Sequence, residues 1–182
     1  FCFENDPERS AGIISGAQDS IGICVPGLCR HYYNKRFWPE KIETCQDEKV
    51  LSWLEGHLIM IPMEPRRPGC SVVVAMDITE EKVKALAGAA EHCWYSILDR
   101  NLSGFASAYK ASFEAQTSMF PAMIQGTVPQ YIEKYSAMPE VLAWKMPGAG
   151  GGGYLACVVE DADTFCKAHP EAIALTIRRP GL

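Results

Sequence analysis

Apolar and polar positions change period several times along the chain, and each change marks an expected element. Residues 57–63, HLIMIPM, form a compact apolar run of strand length, which reads as a buried strand. Just before it, Asp47 stands where an N-cap belongs for a short helix over 48–55, and Gly56 stands where that helix would end. From Asp77 the period becomes helical. Val83, Leu86, Ala87, Ala90, Trp94, Ile97 and Leu98 share one face, and Asp77 with Glu80 has the form of a capping box. Asn101 or Ser103 opens a second helix that carries Phe105, Tyr109, Phe113 and Gln116 at helical spacing. The short link predicts that these two helices pack antiparallel, with their aromatics in the core.

Thr127 with Gln130 three residues on, and Pro129 in the first turn, predicts a third helix. Residues 141–145 then read as a strand, 148–153 as a glycine-rich loop and 154–159 as another strand. Asp161 caps a short helix to Lys167, and 172–177 reads as a last strand. Nearer the start the pattern is weaker. Residues 1–12 read as irregular. Residues 13–23 mix apolar residues with glycine and fit neither helix nor strand. Pro26-Gly27 reads as a turn. Residues 30–38 carry aromatics at strand density, with Asn34-Lys35 able to turn a hairpin. The stretch 64–71 reads as a loop, and Val72-Val73-Val74 stays open between strand and loop. Two long helices amid alternating strands predict an α+β fold, an antiparallel sheet with helices packed on one face.

Composition narrows the class without deciding it. Across 182 residues, 48% are apolar and 21% charged, an ordinary globular balance. The net charge is −5 and the pI about 5.4, with no basic stripe. That argues against nucleic acid as a partner, since phosphate contacts need clustered Lys and Arg. No apolar run reaches the ~20 residues of a spanning helix, so no membrane partner is expected. Eight cysteines are present, at 2, 24, 29, 45, 70, 93, 157 and 166. None shows C-x-x-C spacing, so no metal site is expected. Reduced thiols in a cytoplasmic protein are the expectation; a redox or zinc protein is the competing one. The chain begins Phe1-Cys2-Phe3 without Met, and a preceding segment is expected.

Two stretches carry candidate chemistry. In Lys145-Met146-Pro147-Gly148-Ala149-Gly150-Gly151-Gly152-Gly153-Tyr154, such glycine density is tolerable where backbone takes positive φ or approaches another group closely. Its amides are able to border an anion. The ordinary alternative is a strand connector. A strand follows, not a helix, so it is neither a dinucleotide fingerprint nor a P-loop. The second stretch is Ser15-Gly16-Ala17-Gln18-Asp19-Ser20. A carboxylate there, partly sheltered, is able to take a proton from a hydroxyl; a helix N-cap is the plainer reading. Arg66 and Arg67, in a proline-bounded loop, are weaker candidates for holding an anionic group, and Lys145 is another weaker candidate, since a strand-end Lys is usually a solvated cation.

The glycine stretch, K-M-P-G-A-G-G-G-G, resembles the third motif of the GHMP kinases, with Pro147 where Ser or Thr is common. Residues 15–20 are similar to the family's Gly-x-x-Asp-Gln segment, with Ser20 in place of Gln. The segments G-I-C-V-P-G-L, R-F-W-P-E and S-F-E-A-Q-x-x-M-F-P resemble the heptose-phosphate and fucose kinase branch. The resemblance implies a C-terminal GHMP domain of ferredoxin-like two-layer form over 46–182, with 1–45 as the tail of a nucleotide-binding domain. It implies phosphorylation of a sugar hydroxyl by the intact enzyme, with ATP and Mg²⁺. Asp19 would be the base. Gly148, Ala149, Gly150, Gly151, Gly152 and Gly153 would support the phosphate loop and border the substrate. Ser15 and Gln18 flank the Asp. The family's own ATP phosphate loop has no counterpart in this sequence, so a missing N-terminal domain or second chain is implied. The alternative is a non-catalytic truncated domain that binds a metabolite or a partner chain.

Overall fold

The computed structural model describes residues 16–66 and 76–181. Packing divides the chain into two units, one of 1–51 with 177–182 and one of 52–176.

The first unit holds α1 (Gln18–Cys24) and a hairpin of β1 (Leu28–Tyr32) and β2 (Lys41–Cys45). The strands pair antiparallel from Leu28 opposite Cys45 to Tyr32 opposite Lys41. The sequence places the turn at Asn34-Lys35 with strands close around it. Lys35 does take positive φ, +55°, but residues 33–40 all lie outside the strands, and the aromatics of 33–38 are in that loop. The second strand is instead the charged stretch KIETC. α1 occupies the stretch that fitted neither helix nor strand. Ile21 is its buried anchor, and Asp19 sits in its first turn, where a carboxylate complements the helix dipole. The chain's last residues return to this unit. Arg178 donates from Nη2 to the Cys24 carbonyl at 2.7 Å, and Gly27 N–H donates to the Arg178 carbonyl at 2.9 Å. Arg179 forks onto the Glu48 carboxylate at 2.7 and 3.0 Å. A cation at the end of α1 favours the exposed helix carbonyls there.

α2 (Glu48–Glu55) forms where expected. Asp47 Oδ1 accepts from the amides of Lys49 and Val50, and Gly56 closes the last turn on Ser52.

The second unit carries β3 (Leu58–Pro62), α3 (Glu80–Leu98), α4 (Leu102–Met119), a 3-10 turn at Pro121–Met123, α5 (Val128–Ser136), β4 (Val141–Lys145), β5 (Tyr154–Val159), α6 (Ala162–Ala168) and β6 (Ile173–Ala174). Its sheet has the order β4-β5-β3-β6, antiparallel throughout. In chain order this is the split arrangement of a ferredoxin-like domain: a strand, helices, two strands, a helix and a last strand. The fold is α+β, as expected. Ile59, Ile61, Leu155, Cys157 and Val159 meet Phe113, Val128, Tyr135 and Phe165 from the helices in one buried cluster. Leu155 to Val159 is buried at every position, as suits a strand internal to the sheet.

Several local expectations need correction. Asp77 is not the cap of α3. Thr79 is, accepting from Lys82 N–H at 3.4 Å, while Asp77 holds the Lys82 ammonium at 2.6 Å. The buried stripe of α3 runs through Ala89, Trp94 and Ile97, whereas Val83, Ala87 and Ala90 are exposed. Small apolar residues on both sides of the helix left the face ambiguous by period alone. Thr127 makes no cap bond; its hydroxyl donates to the Glu64 carboxylate at 2.6 Å. The last strand is two residues, Ile173–Ala174, not the whole of 172–177. Asn101, with Oδ1 accepting from Gly104 N–H at 3.0 Å, is the cap of α4. Val72-Val73-Val74 lies outside the described residues.

Candidate functional site

The loop between β4 and β5 is built from positive φ. Gly148, Gly150, Gly151, Gly152 and Gly153 stand at +69°, +74°, +75°, +143° and +93°. At Gly152 a methyl group would lie 2.5 Å from the Glu64 carbonyl oxygen and 2.9 Å from Arg66 N; at Gly150 it would lie 2.8 Å from Met123 Cβ. Positive φ and close backbone approach thus both demand glycine there. The loop is stitched to its neighbours. Gly151 N–H donates to Met123 O, Gly153 N–H to Glu64 O, and Met63 N–H to Gly153 O, all at 2.8–2.9 Å. Arg66 Nε donates to Gly150 O at 2.9 Å, and Gln116 Nε2 reaches Gly148 O at 3.4 Å. Among the described residues the amides of Ala149, Gly150 and Gly152 donate to no protein acceptor. Gln125 Nε2 and Gln116 Oε1, both beside the loop, are buried and unpartnered. Buried polar atoms without a partner call for water or a ligand.

Where β4 enters the loop, Lys145 is half-buried, with its ammonium 2.5 Å from the hydroxyl of buried Ser112 on α4. Loss of water pushes its pKa down to about 8, with Cys93 opposing weakly. Among the described residues it has no carboxylate partner. Burial pushes the Cys93 thiol up to about 11 and the Cys157 thiol up to about 12. Thiols so shifted stay protonated and unreactive. The six described cysteines, Cys24, Cys29, Cys45, Cys93, Cys157 and Cys166, are free. Among the described residues no three His, Cys, Asp or Glu side chains are grouped to hold a metal ion.

In the first unit, α1 and β1 border an open cavity of about 450 Å³ lined by Gln18, Asp19, Gly22, Ile23, Gly27, Leu28, Cys29 and His31. Asp19 and Gln18 are exposed at its edge, so the carboxylate is more open to water than the sequence suggested. Asp19 is inside the first turn of α1, not at its N-cap. Cys29 and His31, two apart on β1, turn to the same side of the strand. Burial raises the Cys29 thiol and lowers the His31 imidazole from their ordinary values.

No protein-family model matches the sequence, and no curated protein matches it. Solved structures do. A putative sugar kinase from Campylobacter jejuni aligns with a TM-score of 0.60 over 94% of this chain, at 16% identity. A D-glycero-D-manno-heptose 1-phosphate kinase from Bacteroides thetaiotaomicron gives 0.61 over 94% at 13% identity. A mevalonate kinase gives 0.64 over 94% at 14% identity. This is the fold of the GHMP-type kinases. The match is to a C-terminal part of those enzymes, and the chain spans about half their length, 51%, 49% and 54%.

Within the GHMP-type fold, the sequence-derived candidates fall in two places. Asp19 and Gln18 line the cavity of the first unit, while Gly148 to Gly153, Lys145 and Arg66 lie together in the second. Ser15 and Arg67 are outside the described residues. Arg66 anchors the glycine loop through Nε, a role the sequence did not indicate. Trp38 is 51% exposed, and Trp144 is partly buried with the Lys110 ammonium over its ring at 5.3 Å. His31, Cys29 and Ile23 were missed, since nothing in their spacing marks a site. Gln116 was read only as a helically spaced position on the second long helix. Its polarity beside Phe113 was the available signal, and it serves the loop.

Proposed function

We propose that this chain is the acceptor-side part of an ATP-dependent kinase that phosphorylates a sugar or sugar-phosphate hydroxyl. The observation that carries the reading is the glycine loop: five glycines at positive φ, packed too tightly for any side chain at Gly150 and Gly152, on a fold shared with small-molecule kinases. In this reading Asp19 accepts or orients the proton of the attacking hydroxyl. The glycine loop borders the transferred group, offering the unpaired amides of Ala149, Gly150 and Gly152. Arg66 fixes the loop through Gly150 O and adds a cation beside it, and Lys145 holds the loop's first residues to α4 through Ser112. MgATP supplies the phosphoryl group when bound, and such transfer rests mostly on positioning and charge stabilisation. Mg²⁺ in such transfers is held by one or two carboxylates together with the nucleotide phosphates, and the reading assigns no residue of this chain to it. Residues 1–45 are read as the tail of the nucleotide-binding domain and 46–182 as the C-terminal domain, of a cytoplasmic enzyme.

Calorimetric titration of the chain with a sugar panel, including L-fucose and heptose phosphates, tests this. Heat from a sugar at micromolar to millimolar Kd is expected. A folded chain that binds none of them would sink the reading. A second reading, a non-catalytic domain that binds a metabolite or partner chain, draws on the roughly half-length match. It predicts that the full-length protein turns over no ATP with any sugar the chain binds.

A further inference from the structure

The segment that returns to the first unit closes on the helix that carries Asp19. α1 has seven residues, Gln18–Cys24, short of the ~12–15 that a helix needs to hold itself in water. Its N-cap, Ala17, makes no side-chain cap bond, and Ile21 is its buried anchor. Gly22 sits within it with open space where a side chain would go, so it weakens the helix without relieving any contact. Asp19 has no hydrogen-bond or ion-pair partner among the described residues. Its carboxylate therefore stands where the helix backbone carries it. Arg178 grips the exit of this helix twice. Its Nη2 donates at 2.7 Å to the carbonyl of Cys24, an oxygen of the last turn with no helical partner. Its own carbonyl accepts from Gly27 N–H at 2.9 Å. Gly27 is fixed in turn, since at φ +86° a methyl group there would lie 2.4 Å from the Cys45 carbonyl oxygen. The guanidinium also complements the negative end of the helix dipole.

From this geometry we infer that Arg178 is a positioning residue for Asp19. Ile21 is the pivot, with Asp19 on one side of it and Cys24 on the other. The lever from Asp19 to Cys24 is about 7.5 Å long at ~1.5 Å per residue. A short helix pinned at its middle and released at its end rocks, so losing the bond at Cys24 displaces Asp19 in the opposite direction. A misplacement of about 1 Å caused far from the reacting atoms is enough to slow a positioned step about 10²-fold. Arg179, in the same segment, forks onto Glu48 of α2 and serves as the comparison. The inference rests on the kinase reading of Asp19 and adds to it the residue that sets where the carboxylate stands.

The test is ATP-dependent turnover of the full-length protein on the sugar it binds best. The variants are Arg178→Ala, Arg178→Lys, Arg179→Ala, and Arg178→Ala combined with Asp19→Asn. Arg178→Ala leaves the backbone bond to Gly27 and the Arg179 fork in place. It is expected to lower kcat about 10–100-fold, with the sugar KM changed less than about threefold. Arg178→Lys keeps a cation at the helix end and is expected to recover most of that loss. Arg179→Ala, which removes an exposed ion pair, is expected to stay within about twofold of the natural protein. In the Asp19→Asn background, Arg178→Ala is expected to cost nothing further, because residues that act as a unit are not additive. Losses that multiply would show that Arg178 acts apart from Asp19 and would overturn the proposal. An undiminished kcat in Arg178→Ala overturns it too, as does a lysine variant no better than alanine. An equal loss in Arg179→Ala marks a merely stabilising segment and has the same consequence. If Asp19→Asn itself turns over normally, the kinase reading of Asp19 fails and takes this inference with it. A full loss in Asp19→Asn beside an intact Arg178→Ala overturns the inference alone. Hydrogen exchange needs no turnover. In Arg178→Ala the amides of α1 and the Gly27 turn should exchange about tenfold faster or more while β3 and β5 stay protected, and unchanged protection of α1 overturns the proposal.

Discussion

At the scale of single residues, the glycine loop separates two reasons for glycine that the sequence merges. Gly148 stands at φ +69° with open space where a side chain would go, while Gly152 stands at +143° with the Glu64 carbonyl 2.5 Å from a would-be methyl. Alanine at 148 therefore meets only the left-handed penalty, about 1–2 kcal/mol. Alanine at 152 meets a backbone conformation essentially closed to side chains and a clash with rigid backbone as well, and is expected to cost more than about 3 kcal/mol. Urea denaturation of the two variants checks the ranking; equal losses would contradict it. The sequence marked all five glycines alike, because which of them abuts Met123 or Glu64 depends on contacts made from distant parts of the chain.

At the scale of elements, Lys145 ties the end of β4 to α4 by placing an ammonium where water is scarce. Its pKa falls from 10.5 to about 8 on folding. The unfolded chain therefore holds this proton more tightly than the folded one between about pH 8 and 10.5. Linkage then makes stability rise with pH across that window as the buried charge is neutralised. Below pH 8 the full cost is present, roughly 1–3 kcal/mol after allowance for partial exposure. Cys93 and Cys157, raised by burial, act in the opposite sense above about pH 9. The measurable quantity is accordingly the difference between the natural chain and Lys145→Met. That difference is expected to favour the methionine variant most at pH 7 and to shrink towards pH 10. A pH-independent difference would show that the ammonium carries no desolvation cost. At the start of α4, Asn101→Ala removes the acceptor for Gly104 N–H and should lower stability by about 1 kcal/mol, read from the thermal midpoint.

Elements with a local cap and a clear period were legible in advance. These include α2 behind Asp47, the strands β3, β4 and β5 as apolar runs, and α6 behind Asp161, whose Oδ1 accepts from Thr164 N–H at 2.7 Å. Where two residues competed for one role, the sequence was undecided or misleading. Asp77 had the spacing of a cap, but its carboxylate pairs with the Lys82 ammonium five residues on, and Thr79 caps instead. Thr127 was instead drawn to Glu64, a partner distant in sequence. α1 was illegible because Gly16 and Gly22 weaken the helical signal. The cavity beside it was illegible with it, since Ile23, Leu28 and His31 meet only once α1 and β1 pack.

At the scale of the whole molecule, the chain leaves the first unit near residue 51 and returns to it at residue 177. The returning segment engages the ends of α1 and α2 through Arg178 and Arg179. Deleting 177–182 should therefore raise hydrogen exchange in α1 and the Gly27 turn while leaving β3 and β5 protected, as expected of separately packed units. Uniform loss of protection would mean the two units unfold as one. The same organisation sets the candidate base and the glycine loop in different units, so a kinase reading needs both. The acidic balance, net −5, suits a metabolite substrate rather than a polyanion. Among the described residues, no helix is long and apolar enough to cross a membrane.

The most direct measurement of the central claim is ATP-dependent phosphorylation of the bound sugar by the full-length protein, with and without Asp19→Asn. The account predicts turnover in the natural protein. It predicts a fall in kcat of about 10²–10⁴ in the variant, the span of general-base effects, with sugar affinity changed by only a few fold. Undiminished turnover in Asp19→Asn, or no phosphoryl transfer to any sugar the natural protein binds, would contradict it.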